Sequence, residues 1–271
     1  GRFELAVAIY RTSNPNPKND ALVYLDGGPG AHTLALSQFA FPENLSPYIE
    51  DRDVILFDQR GVGFSRPALN CPELKDLAID VLGQNISLNE ESTLYRTALS
   101  ACHARLLVEG VDLSLFNTAA SAADVDRLRA ALGYEEWNLL GVSYGTRLAQ
   151  TVMRDFPSGV RRVILDSSYP LDHDLYAGIP AGADRAFDLL VDSCAANQDC
   201  ATNYPDLEQA LYHAFDRLND VPGPGMTTVT ARGGVIPTLM TGTRLSNAVF
   251  QSLYQTDMLA WLPEVITQAA A

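Results

Sequence analysis

Gly141-Val142-Ser143-Tyr144-Gly145 follows the apolar run Trp137 to Leu140 and leads straight into Thr146-Arg147-Leu148-Ala149, a stretch of helical character. A serine between two glycines at a strand-to-helix junction is a severe constraint on a fold. The chain must reverse in a sharp, strained turn, and only glycine two residues before and after the serine lets the neighbouring backbones pass without a Cβ clash. The serine is then displayed at the carboxyl end of a sheet strand, with a helix N-terminus beneath it. Ser143 is therefore the candidate nucleophile, and the amide of Tyr144 points where an oxyanion would form.

Other segments fit the sheet that such a turn demands. Ala21 to Leu25, Val54 to Phe57 and Val163 to Leu165 are short, continuous apolar runs, each running into a turn, the pattern of parallel strands covered on both faces. Phe3 to Tyr10 reads as a further strand with partial alternation. Between the runs lie helical stretches. One begins at Ser121-Ala122-Ala123-Asp124 and ends at Gly133, with Val125, Leu128, Ala131 and Leu132 as its buried stripe, and Ser143 to Phe156 is another, stopped by Pro157. Strand and helix in repetition predict an α/β parallel sheet with ligands at the carboxyl ends of its strands. After Tyr169-Pro170 the pattern changes to helices over Ala183 to Cys194, Asp206 to Leu218 and Leu245 to Leu262, with Pro/Gly-rich Val221 to Gly225 and a hairpin around Gly233-Gly234 between them. The expected organisation is a core over residues 1–170 and a helical cap over 171–271.

Two further motifs fall at strand ends. Leu25-Asp26-Gly27-Gly28-Pro29-Gly30 is a glycine-rich turn at the same sheet edge as Ser143, and Gly28, with its neighbour Gly27 as the alternative, would supply the second oxyanion donor. The other is Phe57-Asp58-Gln59-Arg60-Gly61-Val62-Gly63-Phe64-Ser65. In this order the three motifs resemble those of the α/β-hydrolase serine peptidases of the prolyl iminopeptidase and tripeptidyl aminopeptidase type. The resemblance covers about residues 1–170, and the cysteine-containing cap is similar to that of the secreted tripeptidyl aminopeptidase branch. It implies the α/β-hydrolase fold, a mostly parallel sheet with helices on both faces. It also implies that Asp58 and Arg60 are scaffold, an ion pair bracing the loop beside the site.

In that family an acid and a histidine follow the serine, from the last two strands. Here only His173 and His213 follow it: His173 reads as a solvated or hinge residue and His213 as a residue of a cap helix, while His32, read as a packing residue with pocket lining as the alternative, and His103 precede the serine. The resemblance thus places the triad acid and histidine, and the last core strands, in a missing C-terminal segment or companion fragment of about 130 to 200 residues, the length a parallel sheet needs for closure. Asp166, at the end of Val163 to Leu165, is the runner-up acid. The chain opens at Gly1 without Met or a signal peptide, so preceding residues are expected as well.

The four cysteines, Cys71, Cys102, Cys194 and Cys200, lack the spacing of a zinc ribbon or redox motif. Three pairings are open; Cys71 with Cys102, flanking one helical segment, and Cys194 with Cys200, closing a short loop, are favoured over four free thiols. Disulfides would place the protein outside the reducing cytosol. With 33 Asp and Glu against 19 Lys and Arg, the formal charge is −14. Such a surface repels a phosphate backbone, which excludes nucleic acid as a partner, and no apolar run reaches the roughly 18 residues of a membrane span. No metal or cofactor is called for. The expected function is a serine hydrolase, an exported aminopeptidase acting on short peptides with a free N-terminus. The alternatives are an esterase of the same fold and, from another class, a non-catalytic fragment binding a partner through its sheet edge.

Overall fold

The computed structural model describes residues 2–40, 45–229 and 234–271. In chain order its elements are β1 (Val7–Tyr10), β2 (Leu22–Leu25), α1 (Thr33–Ala40), β3 (Val54–Phe57), α2 (Pro72–Asp80), α3 (Leu88–Val108), α4 (Thr118–Ala131), β4 (Trp137–Val142), α5 (Tyr144–Asp155) and β5 (Val160–Asp166). They continue with α6 (Leu175–Ala196), α7 (Gln198–Asn203), α8 (Leu207–Asp220), β6 (Gly223–Val229), β7 (Gly234–Met240), α9 (Gly242–Ser252) and α10 (Leu262–Ala270). They form two compact units, residues 1–71 with 103–173, and residues 72–102 with 174–271.

The first unit is built on a sheet of order β1-β3-β2-β4-β5. β1 runs antiparallel to β3, and the other pairings are parallel. The continuous apolar runs are explained by cover on both faces. Ala21, Val23 and Leu25 of the β2 segment, Ile55 and Phe57 of β3, and Trp137 and Leu139 of β4 pack against Val125 and Leu128 of α4 and Leu148, Ala149 and Val152 of α5. On the opposite face Leu22, Val54, Leu56 and Leu140 pack with Leu34 of α1 and with Tyr48 and Ile49. Each fully buried side chain of this size contributes roughly 1.5–3 kcal/mol.

Four expectations need correction. The Val163 to Leu165 run is not buried on both faces: β5 is an edge strand whose one neighbour among the described residues is β4, and Ile164 and Leu165 are 44% and 36% exposed. α4 begins at Thr118 rather than Ser121, because Asn117 caps it by accepting from the Ala120 N–H. The segment between Cys71 and Cys102 holds α2 and most of α3, not one helix. Leu245 to Leu262 is interrupted, with α9 ending at Ser252 and α10 opening at Leu262 behind a short 3₁₀ turn at Leu259–Trp261.

The second unit has its own core. α8 buries Leu207, Leu211, Ala214 and Leu218, a stripe at helical spacing, against Leu245 and Val249 of α9 and Leu262 and Ile266 of α10. Arg217 of α8 donates to the Ala269 carbonyl at 2.7 and 3.0 Å, satisfying an acceptor at the end of α10. β6 and β7 pair antiparallel as the expected hairpin, while residues 230–233, including the Gly233 of its turn, lie outside the described residues. Residues 72–102 group with this unit rather than with the core, because Leu239 N–H donates to the Leu82 carbonyl and Arg244 donates to the carbonyls of Val81 and Leu82.

Cys194 and Cys200 form a disulfide with Cα atoms 5.1 Å apart. Cys71 and Cys102 are each disulfide-bonded as well, and no cysteine is free. Peptide mapping of unreduced protein is expected to recover a Cys194–Cys200 linkage, and closing so short a loop should contribute about 2 kcal/mol. Alkylation of these thiols in native, unreduced protein would refute the pairing.

Candidate active site

Ser143 sits at φ +55°, ψ −124°, between the last residue of β4 and the first of α5. A non-glycine residue at positive φ stores strain of about 1–3 kcal/mol, and the surroundings must over-determine it. They do. The Ser143 N–H donates to the Asp166 carbonyl at 3.0 Å, and its own carbonyl accepts from the Thr146 N–H at 2.9 Å. A Cβ on Gly141 would lie 2.5 Å from the Gly145 oxygen, and one on Gly145 would lie 1.8 Å from the Leu25 oxygen. Both neighbours are backbone and cannot give way, so the two glycines of the motif are required by contact.

The parallel pairing of β2 with β4 brings the Asp26 to Gly30 turn against the serine. A Cβ on Gly27 would meet Ser143 Cβ at 2.8 Å and Oγ at 3.2 Å. The turn is fixed by Asp26: Oδ1 accepts from the Gly27 N–H at 2.8 Å and the Tyr24 hydroxyl at 3.2 Å, and Oδ2 accepts from Thr33 Oγ1 at 3.0 Å. Burial first, and then the charges of Asp26 and Asp166, push the Tyr24 phenol far above its usual range, so it stays protonated and donates. The Gly27 N–H is thus committed. The Gly28 N–H has no partner among the described residues, and Tyr144, as the first residue of α5, has no intrahelical acceptor.

The residues Asp58, Gln59 and Arg60 brace this arrangement, but not as an ion pair. The expected Asp58–Arg60 contact is absent among the described residues. Asp58 Oδ1 accepts from the Leu34 N–H at 3.0 Å and Oδ2 from the Phe64 N–H at 2.8 Å. Gln59 Nε2 donates to the Asp26 carbonyl at 3.0 Å. Arg60 makes a two-pronged pair with Asp124 of α4 at 2.7 Å on both arms, and a third bond to the Leu115 carbonyl. A buried amide and a carboxylate on a helix's apolar stripe were thus missed from sequence; the signal for Asp124 was a charge within the stripe of Ala122, Val125 and Leu128.

Two clefts flank the turn. One, of about 430 Å³, is lined by Pro29, Gly30, His32, Gln59, Thr118 and Tyr144 among others. The other, of about 530 Å³, includes Tyr24, Asp26, Val142, Ile164 and Asp166. Asp166 Oδ1 accepts from Ser167 Oγ at 3.0 Å. All four histidines are exposed, and among the described residues none bonds Ser143 Oγ, for which these residues provide no partner.

A parallel α/β sheet carrying a strained serine at a strand-to-helix turn, faced by a glycine-rich turn with uncommitted amides, defines an α/β hydrolase. The chain belongs to the alpha/beta hydrolase fold family, which it matches over residues 20–230. It is 30% identical over 235 residues to serine protease Hip1 of Mycobacterium tuberculosis, covering 81% of this chain and 44% of that one. It is 33% identical over 177 residues to a tripeptidyl aminopeptidase of Streptomyces coelicolor, covering 60% of this chain and 31% of that one. Among solved structures, a proline iminopeptidase-related protein from Thermus thermophilus is 28% identical, with 61% of this chain and 41% of that one covered and a TM-score of 0.38. The chain therefore spans less than half the length of these relatives. Among the described residues no helix is long and apolar enough to cross a membrane.

Proposed function

We propose that Ser143 is the nucleophile of a serine peptidase that removes residues from the free N-terminus of short peptides. The observation that carries the reading is the strained Ser143 held against Gly27 at the end of β4. Its Oγ attacks the scissile carbonyl and gives its proton to a base. The carbonyl oxygen becomes an oxyanion between the N–H groups of Gly28 and Tyr144. Collapse expels the amine, which takes up a proton, and water then hydrolyses the acyl-enzyme. Gly28 is preferred to Gly27 because the Gly27 N–H already serves Asp26.

The same reading assigns the histidine base, and the acid that orients it, to a segment outside these 271 residues that pairs with the open edge of β5, keeping Asp166 as the runner-up acid. The names of the relatives support peptide substrates, and the disulfide-bonded cysteines support export. The test compares, on the full-length protein that includes the segment supplying the base, one peptide anilide with a free N-terminus, its N-acetylated form and a matched aryl ester. Faster turnover of the free form by at least about tenfold, ~1.4 kcal/mol in barrier, is expected. Turnover of the ester alone would favour an esterase, and turnover of none a binding role for the β5 edge.

A further inference from the structure

We infer that Thr146 is a positioning residue that aims the Tyr144 N–H, and that the segment following β5 sets Thr146 through Tyr169. The inference rests on the reading of Ser143 as nucleophile. The Ser143 carbonyl and the Tyr144 N–H belong to one planar, trans peptide unit, so the two bonds point in opposite directions and whatever holds the oxygen aims the hydrogen. That oxygen accepts twice from Thr146, from its N–H at 2.9 Å and from its Oγ1 at 2.7 Å. The first bond needs only backbone; the second needs the hydroxyl.

Thr146 is fully buried, and its hydroxyl has one proton to give. The Tyr169 N–H donates to Oγ1 at 2.7 Å, occupying a lone pair and leaving the proton directed at the Ser143 oxygen. Tyr169 is itself gripped by α5. Its carbonyl accepts from Gln150 Nε2 at 3.0 Å, and the Arg147 guanidinium lies 4.6 Å over its ring. Arg147 also donates to the carbonyls of Pro170 at 2.8 Å, Leu171 at 2.9 Å and His173 at 3.3 Å. The first turns of the nucleophile's helix thus hold the chain that leaves the sheet, and Thr146 joins that hold to the peptide plane at the site.

The test measures fluorophosphonate labelling of Ser143 in the full-length protein, separating the maximal rate from the half-saturating concentration, with folded fractions checked by thermal melting. Thr146→Val is expected to lower the maximal rate about tenfold, less than outright removal of an oxyanion donor, while half-saturation moves less than about twofold. Thr146→Ser, which keeps the hydroxyl, should recover most of that loss. Arg147→Ala should also slow labelling, and in the Thr146→Val background it should add nothing, since both act through one bond. If Thr146→Val unfolds, the slowing by Arg147→Ala and the recovery by Thr146→Ser still decide the matter. Wild-type labelling with an unchanged rate in Thr146→Val, or additive losses in the double variant, would overturn the inference alone. Absence of labelling at Ser143 in the wild type would instead overturn the nucleophile.

Discussion

In the full-length protein Ser143→Ala is expected to abolish fluorophosphonate labelling and to lower kcat by about 10⁶, or roughly 8 kcal/mol in barrier, while leaving the melting temperature nearly unchanged. The size follows from what remains once Oγ is gone. The amides of Gly28 and Tyr144 would still polarise a bound carbonyl, but no atom is left to form the acyl bond, and such remnants give only about 10³ to 10⁴ over water. The fold should tolerate the change because the strain at φ +55° belongs to any residue with a Cβ, alanine and serine alike. The hydrogen bonds that hold the position are made by the backbone of Ser143, through its N–H to Asp166 and its carbonyl from Thr146. Labelling that persists in the alanine variant would remove Ser143 from the mechanism.

Asp124→Asn is expected to cost about 3–5 kcal/mol of stability, a large part of the roughly 5–15 kcal/mol that holds a domain folded. The side chains of Arg60 and Asp124 are 7% and 9% exposed. Neither was brought out of water cheaply, and the two-pronged geometry offsets that cost. Asparagine keeps the shape but leaves Arg60 charged and enclosed, with the Leu115 carbonyl and the Phe3 ring, 4.5 Å away, as poor compensation. Replacing both partners with apolar residues of similar volume, Arg60→Met with Asp124→Leu, should be far milder than either single change. Urea unfolding of the three variants measures this, and a loss below about 1 kcal/mol for Asp124→Asn would show that the pair is solvated in practice. Because Gln59 and Arg60 are adjacent, the asparagine variant should also loosen the Asp26 turn and slow labelling of Ser143.

Legibility from sequence divided along a physical line. The elbow was readable because its requirements are local: an apolar strand, a serine and two glycines whose absent Cβ atoms leave room for Leu25 and for the turn itself. The parallel sheet was readable from runs apolar on both faces. The partner of Arg60 was not, because the nearest carboxylate in sequence, Asp58, is spent on two backbone N–H groups, while the true partner lies on α4, 64 residues away. The open edge of β5 was legible, since Trp137 to Leu140 is the one run that can flank Val163 to Leu165, but the exposure of its faces was not, since an apolar run reports what a strand tolerates and not what covers it. Thr146 was passed over as an ordinary first-turn residue; its role depends on a bond from Tyr169, which no local pattern encodes.

The register of β2 against β4, with Leu25 opposite Gly141, also sets a timetable. Gly27 and Ser143 can meet only after everything between them has been synthesised and the parallel pair has closed, and long-range parallel pairing is slow. At about 5–20 residues per second, a ribosome needs on the order of ten seconds to pass from one to the other. Throughout that interval the nascent chain carries the residues of the glycine turn without the serine they are set against. On the proposed reading of Ser143, a chain assembled in this order is silent until β4 pairs with β2, and release before β4 emerges yields a fragment without its nucleophile.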